Sequence, residues 1–204
     1  MTNSANQPVW HEPKISREQL WSAHTFHGMT IWLTGLSGSG KSTIAHELAR
    51  KLTELGKFAY VLDADNVRHG LNSDLGFTDD DRAENVRRMA EVAKLFASSG
   101  AITLVPIISP FASGRQFARL IHTSDNLEFV EVHVATSLAE CEKRDTKGLY
   151  AQVKAGASIG LSGVNAPYEA PTAPEFSLCA NGESLDQCVE TLLRDVLLRC
   201  DLKR

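Results

Sequence analysis

The sequence is short of several things, and each shortage narrows what the chain can be. Only four of its 204 residues are cysteine, at 141, 179, 188 and 200. None forms a CxxC pair, so zinc and dithiol chemistry have no local motif and reduced thiols are expected. Aromatic residues make up 7% and basic residues are outnumbered, 21 Lys+Arg against 25 Asp+Glu. A net charge of −4 gives no extended basic footprint for nucleic acid, although a local anion pocket stays open. The longest strongly apolar stretch, Ala101–Ile108, is far too short to cross a bilayer, and the polar N-terminus does not read as a secretory signal. A soluble, cytoplasmic protein without membrane or nucleic-acid partners is the expectation.

What is present is an ordinary globular composition, 43% hydrophobic and 23% charged, in a chain long enough to bury a core without staples. Residues 1–28 read as an N-terminal arm, with Ser16 placed to cap a short helix through Trp21. From 29 to 204 short apolar runs alternate with helical patterns, the signature of an α/β domain with a central parallel sheet flanked by helices. The expected strands are Thr30–Leu33, Ala59–Leu62, Ala101–Ile108, Phe129–Val134 and Phe176–Cys179. Helices are expected at about 41–55, 82–98, 114–122, 137–144 and 184–199. In the second of these, Val86, Met89, Ala90, Ala93 and Ala97 recur at three- and four-residue spacing. Thr78 and Asp81 form a capping-box pattern before it, and Gly100 supplies the stop. Residues of about 147–175 are rich in Gly and Pro with few periodic apolar positions, which predicts an irregular, mobile lid.

Directly after the first apolar run stands Gly35-Leu36-Ser37-Gly38-Ser39-Gly40-Lys41-Ser42, a GxxxxGK[ST] loop leading into a helical pattern. Its glycines let backbone N–H groups converge, and the helix N-terminus adds a positive dipole end, so a polyphosphate is favoured there. Lys41 reaches the outer phosphates, and Ser42 offers a hydroxyl to Mg²⁺. Such a loop serves kinases, GTPases and ATPases alike. No NKxD exists to read guanine, and Ala101–Ile108 carries no carboxylate of the motor-ATPase kind. Asp145–Gly148 matches DxxG only by letters.

Carboxylates appear instead at the end of the second strand, Asp63 and Asp65. Strand C-termini of an open parallel sheet face the ligand crevice, so both belong near the phosphates if their strand neighbours the loop strand. Alternation in an extended segment places both side chains on one side. A small kinase needs such a group to orient the acceptor hydroxyl and hold Mg²⁺ through water. The structural alternative is a cap for a helix at about 66–71, which suits Asp65 better than Asp63. Arg82 and Asn85 lie three apart on one helix and can face one site.

Thr34–Thr43, Leu62–Gly70, Asp74–Phe77 with Arg82 and Asn85, Ile108-Ser109-Pro110, Lys147–Tyr150 and Tyr168–Pro171 occur in that order. Together they resemble the adenylylsulfate kinase family over about residues 28–195. The resemblance implies a P-loop kinase that phosphorylates the 3′-hydroxyl of adenosine 5′-phosphosulfate at the expense of ATP, with Mg²⁺, in a homodimer whose lid closes over both nucleotides. It implies ATP contacts along Gly35, Ser37, Gly38, Ser39, Gly40, Lys41, Ser42 and Thr43, with Arg144 over the ATP adenine. On the acceptor side it implies Arg68 and Arg82 on the phosphosulfate and Phe77 against the adenine. Asp65, Asn85, the backbone at Ile108 and Ser109, and Lys147 at the lid base complete that set. Lys41 and Asp63 are the expected catalytic pair, Asp63 and Ser42 the expected metal holders. Two departures stand out. Leu161-Ser162-Gly163-Val164-Asn165 replaces the family's aromatic-Thr-Gly-Ile-Asp, so Leu161 would cover the acceptor adenine without stacking and weaken its binding, and Ala64 stands where glycine is usual. A kinase of another small acceptor, or a silent nucleotide-binding partner, remains the alternative.

Overall fold

In the computed structural model, which describes residues 8, 9, 11–180 and 182–201, every residue of β1 (Met29–Thr34) and β3 (Ile102–Pro106) is buried. Strands read as continuous apolar runs when helices cover both faces of a sheet. The sheet is parallel throughout, in the order β2-β3-β1-β4-β5, with β2 (Ala59–Val61), β4 (Glu128–Val134) and β5 (Phe176–Leu178) completing it. Successive side chains of β1 go to opposite faces. Ile31 and Leu33 enter one core with Leu48 and Leu52 of α2 (Lys41–Glu54) and Val189 and Leu192 of α8 (Leu185–Cys200). Trp32 enters the other, with Met89, Ala90 and Ala93 of α4 (Asp79–Ser99) and Ala118 of α5 (Ala112–Thr123).

The expected strands and the five expected helices are present, with ends moved by a few residues at most. The Thr78–Asp81 box is reciprocal and Gly100 ends α4 in the left-handed conformation. The arm falls partly outside the described residues. Its later part packs on the domain: α1 (Arg17–His24) is capped by Ser16, Trp21 Nε1 donates to the Ala97 carbonyl at 3.3 Å, and Phe26 is fully buried in the core.

Strand β3 lies between β2 and β1, so the adjacency on which the placement of Asp63 and Asp65 was conditional is absent, and two readings need correction. The short helix after β2 is α3 (Ala64–Val67), so Asp63 and Asp65 do not alternate along extended backbone, and Asp63 rather than Asp65 is its N-cap. The segment expected to be irregular opens with a helix, α7 (Leu149–Lys154), whose Tyr150 is buried. Arg88 holds Asp74 with two bonds of 2.7 and 2.8 Å and the Leu71 carbonyl at 3.0 Å, closing the turn before α4. The thiols are unbonded, although Cys179 and Cys188, nine residues apart in sequence, bring their Sγ atoms to 3.1 Å.

Candidate active site

The loop leaving β1 is shaped by its glycines and pinned from outside. Gly40 has φ 106°, which L side chains rarely adopt, and a Cβ on Gly35 would lie 2.6 Å from the Val134 carbonyl. Four loop carbonyls are satisfied by protein donors. Lys41 Nζ reaches those of Gly35 at 3.0 Å and Leu36 at 2.7 Å, the Tyr150 hydroxyl donates to that of Ser37 at 2.8 Å, and Thr136 Oγ1 to that of Ser39 at 2.8 Å. With its acceptors neutralised, the loop presents a helix N-terminus to the cleft, the arrangement that favours an anion. Burial, with the charge of Lys147, pushes the Lys41 ammonium down to about 8, while Asp65 and Asp63 oppose the shift. Tyr150, matched in sequence without a role, is one of the residues that fix this loop.

Asp63 closes one side. Its Oδ1 accepts the Asp65 amide at 2.9 Å as cap of α3, and its Oδ2 accepts the Ser42 hydroxyl at 2.8 Å. The carboxylate therefore reaches the phosphate loop even though β2 is one strand removed. The aspartate that caps and the aspartate that touches Ser42 are the same residue. Asp65 is instead exposed at the mouth of the cleft and pairs with Lys147.

Across from the loop the cleft is lined by Arg68, Phe77, Arg82, Asn85, Ile108 and Ser109, with Arg144 and Lys147 on the side leading into α7. The exposed Phe77 ring lies beneath the Arg68 guanidinium at 4.4 Å, a cation–π contact, and Arg68 also donates to the Gly76 carbonyl at 3.0 Å. Arg82 is neither a solvated cation nor a surface ion pair. It is buried, and it donates to the Phe77 carbonyl at 2.9 Å, Ser162 Oγ at 3.1 Å and the Gly160 carbonyl at 2.6 Å. Asn85 Oδ1 accepts from Asn72 Nδ2 at 3.0 Å. Arg144 keeps an i,i+4 pair with Glu140 at 3.2 Å. Leu161 stands apart: it does not line the cleft and is buried against Cys141 and Tyr150.

Ser109 does not cap a helix. It is fully buried with φ 41°, its Oγ accepts from Trp32 Nε1 at 3.1 Å, and α5 is capped by Glu169, whose Oε2 accepts the Ala112 amide at 2.7 Å. Trp32, Arg115 and Glu169 were not singled out from sequence. Only the Tyr168–Pro171 match pointed toward the last of them.

A parallel sheet in this order, a pinned GxxxxGKS loop at the end of β1 and a carboxylate on the loop serine define a P-loop kinase. Comparison with known proteins makes the class specific. A sequence model of adenylylsulphate kinase matches residues 27–179. The adenylyl-sulfate kinase of Prochlorococcus marinus is 46% identical over 198 residues, 97% of each chain, and that of Clostridium kluyveri 48% over 184 residues, 90% of this chain and 91% of the other. Among solved structures, the Mycobacterium tuberculosis APS kinase CysC in complex with AMPPNP and APS superposes with a TM-score of 0.81 at 48% identity, covering 84% of this chain and 98% of that one. The chain belongs to the adenylylsulfate kinase family.

Proposed function

We propose that the chain transfers the terminal phosphoryl group of ATP to the 3′-hydroxyl of adenosine 5′-phosphosulfate, giving 3′-phosphoadenosine 5′-phosphosulfate and ADP. The observation that carries the mechanism is the Asp63 carboxylate on the Ser42 hydroxyl beside the pinned phosphate loop. Gly35, Ser37, Gly38, Ser39, Gly40 and Thr43 belong to the segment that cradles the donor phosphates. Lys41 exchanges its loop-carbonyl bonds for phosphate oxygens and offsets charge on the transferred group. Asp63 orients the acceptor hydroxyl and takes its proton.

Ser42 and Asp63 are hard oxygen donors in contact, a set that fits Mg²⁺. When bound, Mg²⁺ supplies neutralisation of the donor phosphates. Ser42 would hold it through an oxygen lone pair while its own hydroxyl proton stays hydrogen-bonded to the Asp63 carboxylate.

On the acceptor side, Phe77 is open for stacking, and Arg68 and Arg82 face the anion. Arg82 faces it while also holding Ser162 and the Gly160 carbonyl, so the guanidinium that meets the acceptor is in contact with the lid. Asn85, Ile108 and Ser109 bound the acceptor end, and Lys147 parts from Asp65 as the lid moves. Arg144 stacks on the ATP base. The burial of Leu161 supports a lid-core role in place of the expected adenine contact. A homodimeric, cytosolic protein with residues 29–204 as its kinase domain accompanies this reading. Light scattering on the purified chain gives the mass of the assembly directly. Phosphorus NMR of the product tests the chemistry: the new phosphate belongs on the 3′ carbon, and phosphate at any other position refutes the proposal.

A further inference from the structure

The turn at the acceptor end of the cleft is held by a group that does not itself line the cleft. Ser109 lies in the left-handed region without being glycine, a conformation that persists only when its surroundings over-determine it. Its hydroxyl is fixed by Trp32, and the Ile108 carbonyl before it accepts from Thr34 Oγ1 at 2.6 Å. Its own carbonyl accepts from Arg115 Nη1 at 2.7 Å.

Arg115 is almost fully buried, and its fork is divided three ways. Besides the Ser109 carbonyl it serves Glu131 Oε1 on β4 through Nε at 2.8 Å, and the Glu169 carbonyl through Nη2 at 2.7 Å. Glu169 lies on the chain returning from the lid to β5, and it is bound to the same neighbourhood twice more. Its amide donates to the Pro110 carbonyl at 2.8 Å, and its carboxylate caps α5 at Ala112. One guanidinium therefore joins the strained turn, the return leg of the lid and the sheet. Lysine, a point charge with one nitrogen, cannot serve three acceptors spread around a planar fork.

We infer that Arg115 is a positioning residue for the acceptor nucleotide, holding the Ile108–Pro110 turn in its strained form and locking the lid's return leg to it. The inference rests on the proposed placement of the acceptor beside Ile108 and Ser109. The donor loop, on the other side of the cleft, is pinned by Lys41, Thr136 and Tyr150 and does not depend on this fork. The effect of breaking it is accordingly one-sided.

Arg115→Lys keeps the charge opposite Glu131 and loses the shared fork. It should raise the KM for adenosine 5′-phosphosulfate by roughly tenfold or more, the cost of lost charge-assisted bonds, with the KM for ATP within about twofold of the parent. In Arg115→Ala, free guanidinium should restore acceptor affinity in a saturable manner, an effect that loss of folded protein alone does not give. Acceptor KM unchanged in Arg115→Lys overturns the inference. So does a fall in turnover that tracks the folded fraction with both KM values unmoved and no guanidinium rescue. The parent chain is assayed alongside: absence of turnover there removes the acceptor reading itself, a failure distinct from a normal parent with a normal Arg115→Lys.

Discussion

Replacing Asp63 separates what its two oxygens do. Oδ1 caps α3 through the Asp65 amide, and Oδ2 accepts the Ser42 hydroxyl. Asparagine keeps an acceptor of the same shape for the cap, and asparagine is as good an N-cap as aspartate. Its amide nitrogen faces Ser42, whose hydroxyl can turn to accept, so the fold loses a few tenths to about 1 kcal/mol. What asparagine cannot do is take a proton. Loss of a positioned general base costs about 10²–10⁴ in kcat, or roughly 3–5.5 kcal/mol of barrier. Alanine loses the base and the cap together, adding about 1 kcal/mol of destabilisation. Steady-state ADP release at saturating MgATP and adenosine 5′-phosphosulfate, with thermal unfolding of each variant, reads both quantities. The two variants should share a low kcat and differ in Tm, with kcat falling far more than the KM for ATP rises. Asp63→Asn retaining more than about a tenth of the parent kcat would refute the assignment.

Two further predictions concern stability. His122 is fully buried, donating Nδ1–H to the Ala118 carbonyl at 2.7 Å and accepting the Thr30 hydroxyl on Nε2 at 2.9 Å, and burial lowers it from 6.5 to about 4. The unfolded chain binds the proton first, so stability falls as pH drops through that window, by about 2 kcal/mol between pH 7 and pH 5 from this group. Urea unfolding at the two pH values should show that much less pH dependence in His122→Gln; equal slopes contradict the assignment. Leu161→Phe overpacks the cluster with Cys141 and Tyr150 and should cost about 1–3 kcal/mol, roughly 2–4 °C of Tm for each. An unchanged Tm with tighter acceptor binding would return residue 161 to the nucleotide.

The sheet and its helices were legible because both ends of the argument were local. Buried parallel strands are apolar runs, and α4 carries its own cap and stop in Thr78, Asp81 and Gly100. The phosphate loop was legible for the same reason, its chemistry residing in one contiguous string. Strand order was not, because the crossover that inserts β3 between β1 and β2 leaves no trace in spacing. Asp63 reaches Ser42 all the same, because the α3 turn, rather than sheet adjacency, carries its carboxylate there. Glycine and proline around α7 hid a helix of only six residues. Arg82 and Arg115 look alike in sequence as arginines on helices. Only the packing of Gly160 and Glu169 against them separates a guanidinium facing the cleft from one bonded to the turn behind it.

The most direct test offers the purified chain MgATP with adenosine 5′-phosphosulfate and, in parallel, with a panel of nucleosides and sugar acids, measuring ADP and phosphorylated product. ADP release matched by product from the phosphosulfate alone is the predicted result. Turnover only with another acceptor, or ATP binding without turnover on any of them, would contradict it.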